Sequence, residues 1–129
     1  MRENAAVLRL GTVVLGADDV DRAVSFWADA LGYEVVRFAG SDDDFTILRP
    51  PDAVGTRIAV QRSETPVQER PRIHVDFVVD TAAEQKAEID RLVGLGAARV
   101  PWDYANDSDF IVLADTEGNR FCVVDASHG

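Results

Sequence analysis

The sequence predicts an α+β fold of two tandem βαβββ modules, each reading strand, helix, then three strands. Three observations carry this. Two amphipathic helical segments recur, one behind an aspartate cap and one behind a capping box. Both close on the same kind of run, Ala30-Leu-Gly-Tyr-Glu-Val-Val36 and Gly94-Leu-Gly-Ala-Ala-Arg-Val100, with Gly32 and Gly96 lying 64 residues apart. Around each helix, short apolar runs are separated by turn residues at matching places. Repeats arise where one unit cannot bury its apolar face alone, so each four-stranded half is expected to pair with the other, within one chain or across a dimer.

The elements follow in order. Val7 to Leu15 is rich in Val and Leu and reads as a buried strand. Asp18 and Asp19 can accept the free NH groups of a first helical turn, where negative charge is favourable. Val20, Ala23, Val24, Trp27 and Leu31 then form one helical face, and Gly32 supplies the left-handed residue that ends it. Tyr33 to Phe38 is a strand, Ser41 to Asp44 an acidic turn, Phe45 to Leu48 a strand. Arg49 to Gly55 carries two prolines and reads as a loop; Arg57 to Arg62 is the third strand. Ser63 to Pro71, polar and again with two prolines, is the linker. Arg72 to Val79 reopens the pattern. Thr81 and Glu84 make a capping box, and the second helix runs to Gly94 or Gly96. Ala97 to Trp102 and Asp109 to Leu113 are strands, Asp115 to Asn119 a turn, Arg120 to Val124 the last strand, and Asp125 to Gly129 a loose tail.

Length and charge bound the function. The 129 residues fit a single domain, 1–129, with modules at about 7–62 and 72–125. The net charge of −10 argues against a nucleic-acid partner and against an anionic membrane surface, both of which require a basic face. No apolar run approaches the roughly 20 residues that cross a bilayer. Cys122 is the single cysteine, so no intrachain disulfide forms, and no signal-peptide pattern opens the chain. A cytoplasmic protein is the expectation.

Several runs resemble the glyoxalase-like, or vicinal oxygen chelate, superfamily. Phe26-Trp27 followed by Ala30-Leu-Gly32 is similar to its first-module signature, and His74-Val-Asp76 to the start of its second. Leu92-Val-Gly-Leu-Gly-Ala97 is similar to the second helix end, and Asp115-Thr-Glu-Gly-Asn-Arg-Phe-Cys122 to the last turn and strand. The resemblance covers about residues 8 to 125. It implies that the modules form an open, cup-like sheet with helices on the outside. It also implies four metal-ligand positions, from the first and last strand of each module, carried here by Thr12, Gln61, His74 and Cys122. His74 is the only usual ligand among them. One Cys and one His fall short of the three or four good ligands that zinc takes, and no carboxylate stands at these positions to suit magnesium, manganese or iron. No tightly bound metal is therefore expected. A homodimer is implied by the resemblance alone.

Strand alternation gives the expected lining. Ile73, Val75, Phe77 and Val79 should pack on the helices, leaving His74, Asp76 and Val78 to face the cup. The same parity sends Thr12, Val14, Arg57, Ala59, Gln61, Arg120 and Cys122 to that face. His74 and Asp76, two apart on one face, are the candidate catalytic pair, able to act as acid and base or to orient a ligand hydroxyl. Arg57 and Arg120 can hold a carboxylate or phosphate in forked geometry. Trp102 and Tyr104, at the root of a polar loop, can cover a ligand edge. Thr12, Gln61 and Cys122 complete the ligand-binding set. The expected function is a glyoxalase-like protein that binds a small organic molecule without a tight metal, of a sequestering or resistance type. The alternatives are a metal-dependent enzyme that uses His74 with Gln61, Asp76 or Cys122, and an interaction domain whose cup is closed by side chains.

Overall fold

A computed structural model describes residues 5–37 and 43–128. The chain order is β1 (Thr12–Ala17), α1 (Val20–Leu31), β2 (Glu34–Val36), β3 (Phe45–Arg49), β4 (Arg57–Arg62), β5 (Val75–Val79), α2 (Ala82–Leu95), β6 (Ala98–Arg99), β7 (Phe110–Ala114) and β8 (Arg120–Asp125). The strands of the described residues form two four-stranded sheets ordered β1-β4-β3-β2 and β5-β8-β7-β6, with no closed barrel among them. In each, the first strand pairs parallel with the last, and the remaining pairs are antiparallel. Each half is thus a βαβββ module, as the sequence predicts.

The helices start and stop where their side chains dictate. Asp19 caps α1 by accepting from the Arg22 amide at 3.1 Å, and Gly32 ends it at φ 67°. Thr81 accepts from the Glu84 amide at 3.1 Å, while the Glu84 carboxylate reaches back to the amide of Asp80 rather than to that of Thr81. No described helix is long and apolar enough to cross a membrane.

One core joins the modules within a single chain. Phe26 and Trp27 of α1 pack on Phe121 of β8, and Trp27 also on Phe77 of β5, with ring centroids 5.0–6.4 Å apart. Contacts of this kind contribute about 0.5–1.5 kcal/mol each beyond the apolar area they bury. Leu48, Ile58, Val60, Leu113 and Val123 complete the core from both sheets.

The structure departs from the sequence reading at segment ends. The first strand begins at Thr12, not Val7: Val7, Leu8 and Leu10 are exposed and outside any sheet, so their apolar character reflects no burial in this chain. The strand expected over Arg72 to Val79 starts at Val75, and Ile73 is 87% exposed instead of packing on a helix. The strand expected over Ala97 to Trp102 is only two residues long. The tail is not loose at 125–128. Asp125 is buried, accepts from the amide and hydroxyl of Ser127, and a 3-10 turn spans Ala126–His128. Part of the acidic turn over Ser41 to Asp44 lies outside the described residues, as does Phe38.

Candidate functional site: a cleft between two sheet edges

The turn before β8 sets how the modules meet. Asp115 is buried and accepts from the Trp27 indole NH at 3.0 Å and from the amides of Glu117 and Asn119. Asn119 donates to the Gly16 carbonyl of β1 at 2.8 Å. Glu117 accepts from the Asp19 amide at 3.0 Å and from two guanidinium nitrogens of Arg22 at 2.8 and 3.0 Å. Burial pushes the Asp115 carboxyl up. Burial would do the same to Glu117, but the Arg22 guanidinium, the Asp19 amide and the Thr116 hydroxyl outweigh it and hold that carboxyl at about 2. The sequence shows a turn at 115–119; that its three polar side chains clamp α1 and β1 of the other module needs the fold.

This clamp leaves β1 and β5, the outer strands of their sheets, facing one another across a cleft of about 850 Å³. Val14, Trp27, Val67, His74, Phe77 and Arg120 are among its walls. The linker Ser63 to Pro71 lines one side. It is tied down by Arg70, whose guanidinium lies 4.6 Å over the Trp102 ring and 3.6 Å from the Asp103 carboxylate. Gly16 lets the linker start close to β1: a Cβ there would lie 2.9 Å from that of Ser63.

Two features carry chemistry, one on the cleft wall and one that reaches the cleft only through His74. Arg120 donates from Nη1 to the Gly118 carbonyl at 2.8 Å, while its Nε is buried with no hydrogen-bond partner among the described residues. An unpaired buried donor of this kind costs about 1–3 kcal/mol or more, since the group is charged. Second, His74 Nε2 lies 3.0 Å from Asp76 Oδ1, and Cys122 sits beside Asp76 in the strand pairing. The nitrogen, carboxylate oxygen and sulfur of these three lie within 4.8 Å of one another. Their side chains differ in exposure: His74 and Asp76 are about half exposed, and Cys122 is buried. Burial, the Asp76 charge and a hydrogen bond to Asp76 push the Cys122 thiol up to about 11, so it is protonated at neutral pH.

Thr12 pairs with Arg57 at one end of β1, and Gln61 with Gly16 four residues further on, roughly 13 Å along the strand. Arg57 and Gln61 are exposed, and neither they nor Thr12 line the cleft. The register also changes which positions correspond. Both helix caps, Asp19 and Thr81, lie 62 residues apart, as do Thr12 and His74. Val14 pairs with Ala59 and Asp76 with Cys122, so the counterpart of Cys122 is Ala59, and Gln61 corresponds to Val124. Trp102 holds the linker through Arg70. The Tyr104 hydroxyl accepts from the Val112 amide at 2.8 Å and its ring packs on Phe110, so it serves the edge of β7.

The divalent ion that the resemblance implies can be tested on these donors. A site shared between the modules does not fit, because Ala59 has no donor and Thr12 offers only a neutral hydroxyl. His74, Asp76 and Cys122, all from the second module, do fit as three ligands of one ion.

Comparison with known proteins agrees with this architecture. A family model described as a glyoxalase-like domain matches residues 12–124. A glyoxalase/bleomycin resistance protein/dioxygenase family enzyme from Burkholderia phytofirmans superposes with a TM-score of 0.71 at 18% identity, over 92% of this chain and 98% of that one. The fosfomycin resistance protein FosX from Listeria monocytogenes, as a mutant complexed with Mn(II) and 1S,2S-dihydroxypropylphosphonic acid, superposes with a TM-score of 0.68 at 17% identity, over 92% and 90%. A glyoxalase-related enzyme from Fulvimarina pelagi gives 0.67 at 17%, over 92% and 88%. No curated protein matches the sequence. With its duplicated modules and a family match over nearly its whole length, the chain belongs to the glyoxalase-like domain family.

Proposed function

We propose that this protein binds a small organic anion, a carboxylate or a phosphonate, in the cleft between β1 and β5. The observation that carries the reading is the Arg120 Nε–H, a buried cationic donor without an acceptor among the described residues, on the wall of an open cleft. An anionic oxygen supplies the missing acceptor, and a charge-assisted bond of this kind is worth roughly twice a neutral one. Apolar walls from Val14, Trp27 and Phe77 take the ligand's carbon skeleton, in keeping with pockets that are mostly apolar with a few fixed polar groups. The phosphonic acid bound by the Listeria fold relative is a ligand of the proposed class. Binding of this sort requires no reaction.

A thermal-shift screen of small carboxylates and phosphonates tests the proposal. A true ligand at 100 times its dissociation constant adds about 2.7 kcal/mol of stability. That gain should vanish in Arg120→Gln. A panel without effect, or ligands that stabilise the variant equally, would refute it.

A further inference from the structure

We propose, building on the anion reading of the cleft, that the linker over residues 63–71 is a gating strap that lifts to admit an anion to Arg120 and is latched by Arg70. Arg120 lines the cleft, yet its Nε is buried, so an anion reaches that N–H only after part of the wall moves. Most of the wall is fixed. β1 and β5 are held by their ladders to β4 and β8, and Trp27 by its bond to Asp115. The linker is not. The Ser63 amide is tied to the Ala17 carbonyl at 3.0 Å, but from 64 to 71 the backbone makes no hydrogen bond to either sheet among the described residues. Its other bonds are internal, from the Thr65 amide to the Ser63 hydroxyl and from the Arg72 amide to the Gln68 side chain. Residues 64–70 are all exposed, which places the segment at the low end of local stability.

Two side-chain contacts hold the strap down. Arg70 stacks on Trp102 and pairs with Asp103, but both members of the ion pair are mostly exposed, so neither interaction is strong. Val67 makes the second contact. A Cβ at Gly118 would lie 3.3 and 3.4 Å from its two methyl carbons, so the valine is seated directly on this glycine. The Gly118 carbonyl in turn accepts from Arg120 Nη1. The strap thus rests against the residue that fixes the Arg120 guanidinium, and lifting Val67 opens that side of the arginine. The linker joins opposite walls, from Ser63 beside β1 to His74 just ahead of β5, so it swings without releasing either sheet. Ile73, on the cleft lining at the foot of the strap, is 87% exposed. It gives the returning strap an apolar surface to close over a bound carbon skeleton.

Proteolysis of the ligand-free protein tests the latch. Where cleavage is slow relative to reclosing, its rate follows the open population. Cutting by glutamyl endopeptidase after Glu64 and Glu69, mapped by mass spectrometry, should therefore run about two- to fivefold faster in Arg70→Gln, the factor an exposed cation–π contact is worth. Arg70→Lys, which keeps the charge but loses the planar stacking face, should fall between the two. Val67→Ala should also be cut faster, while cutting after Glu34, outside the strap, stays unchanged. With methylphosphonate as the probe, NMR line shapes should show its association rate raised by the same two- to fivefold in Arg70→Gln. Strap cutting unchanged in both latch variants, an equal rise after Glu34, or an unaltered association rate would each overturn the strap. Arg120→Gln separates the two readings. If it abolishes methylphosphonate binding while the latch variants change nothing, the strap alone fails. If methylphosphonate does not bind the wild type, or binds Arg120→Gln equally well, the anion reading fails and the strap's role at Arg120 fails with it.

Discussion

Replacing Glu117 by Gln should cost this protein stability at neutral pH and almost nothing in strong acid. The amide keeps one acceptor oxygen but turns an NH₂ toward the Arg22 guanidinium or the Asp19 amide, where a carboxylate oxygen now accepts at 2.8–3.0 Å. The size follows from the carboxyl itself. It moves from an ordinary 4.5 to about 2 on folding, and at about 1.36 kcal/mol per unit this is roughly 3 kcal/mol. Arg22 is half exposed, and solvent screening trims the figure to about 2 kcal/mol. For a chain of this length that corresponds to a melting temperature lower by roughly 6–10 °C. The folded-state pKa lies below the unfolded one, so the contribution is complete above about 4.5 and fades as pH falls through about 2. Thermal melts of both proteins across that range therefore should converge at the acid end. Equal stability at neutral pH, or a gap that stays constant down to the acid end, would refute the clamp.

Three further outcomes are expected. Trp27→Phe keeps a ring in the aromatic cluster but strips Asp115 of a buried donor, and urea unfolding should show a loss of about 1–3 kcal/mol. Gly16→Ala should destabilise by about 1–3 kcal/mol by forcing the linker off β1, and Ser63→Gly in the same chain should restore part of it. In metal-free protein, alkylation of Cys122 should be slow at neutral pH and accelerate as pH approaches about 11, while Asp76→Asn, by removing the charge that helps hold the proton, should speed it at a given pH.

The fold was legible because duplication repeats short-range physics. Asp19 and Thr81 cap their helices, Gly32 and Gly96 end them, and each helix buries its apolar face, all as local pattern dictates. Strand parity was legible too: Phe121 and Val123 enter the core while His74 and Asp76 stay open. Register was not. Taking Gln61 as the partner position of Cys122 differs from the observed register by two residues, a slip that keeps the face and shifts the place by roughly 7 Å. Pairing partners decide register, and no periodicity in β4 records them. The clamp was hidden for a similar reason. Asp115, Glu117 and Asn119 are ordinary turn residues until the fold brings Trp27, Arg22 and Gly16 to them across about a hundred residues of chain. Ile73 and Val7 show the converse, apolar residues in strand-like runs that the fold leaves in water.

The most direct test of the cleft as a binding site is an NMR titration that follows the Arg120 Nε–H resonance as a stabilising carboxylate or phosphonate is added. The account predicts that this signal shifts downfield with the same dissociation constant as the thermal effect, because the anion becomes its acceptor. A resonance that stays put while the protein binds the ligand would contradict it.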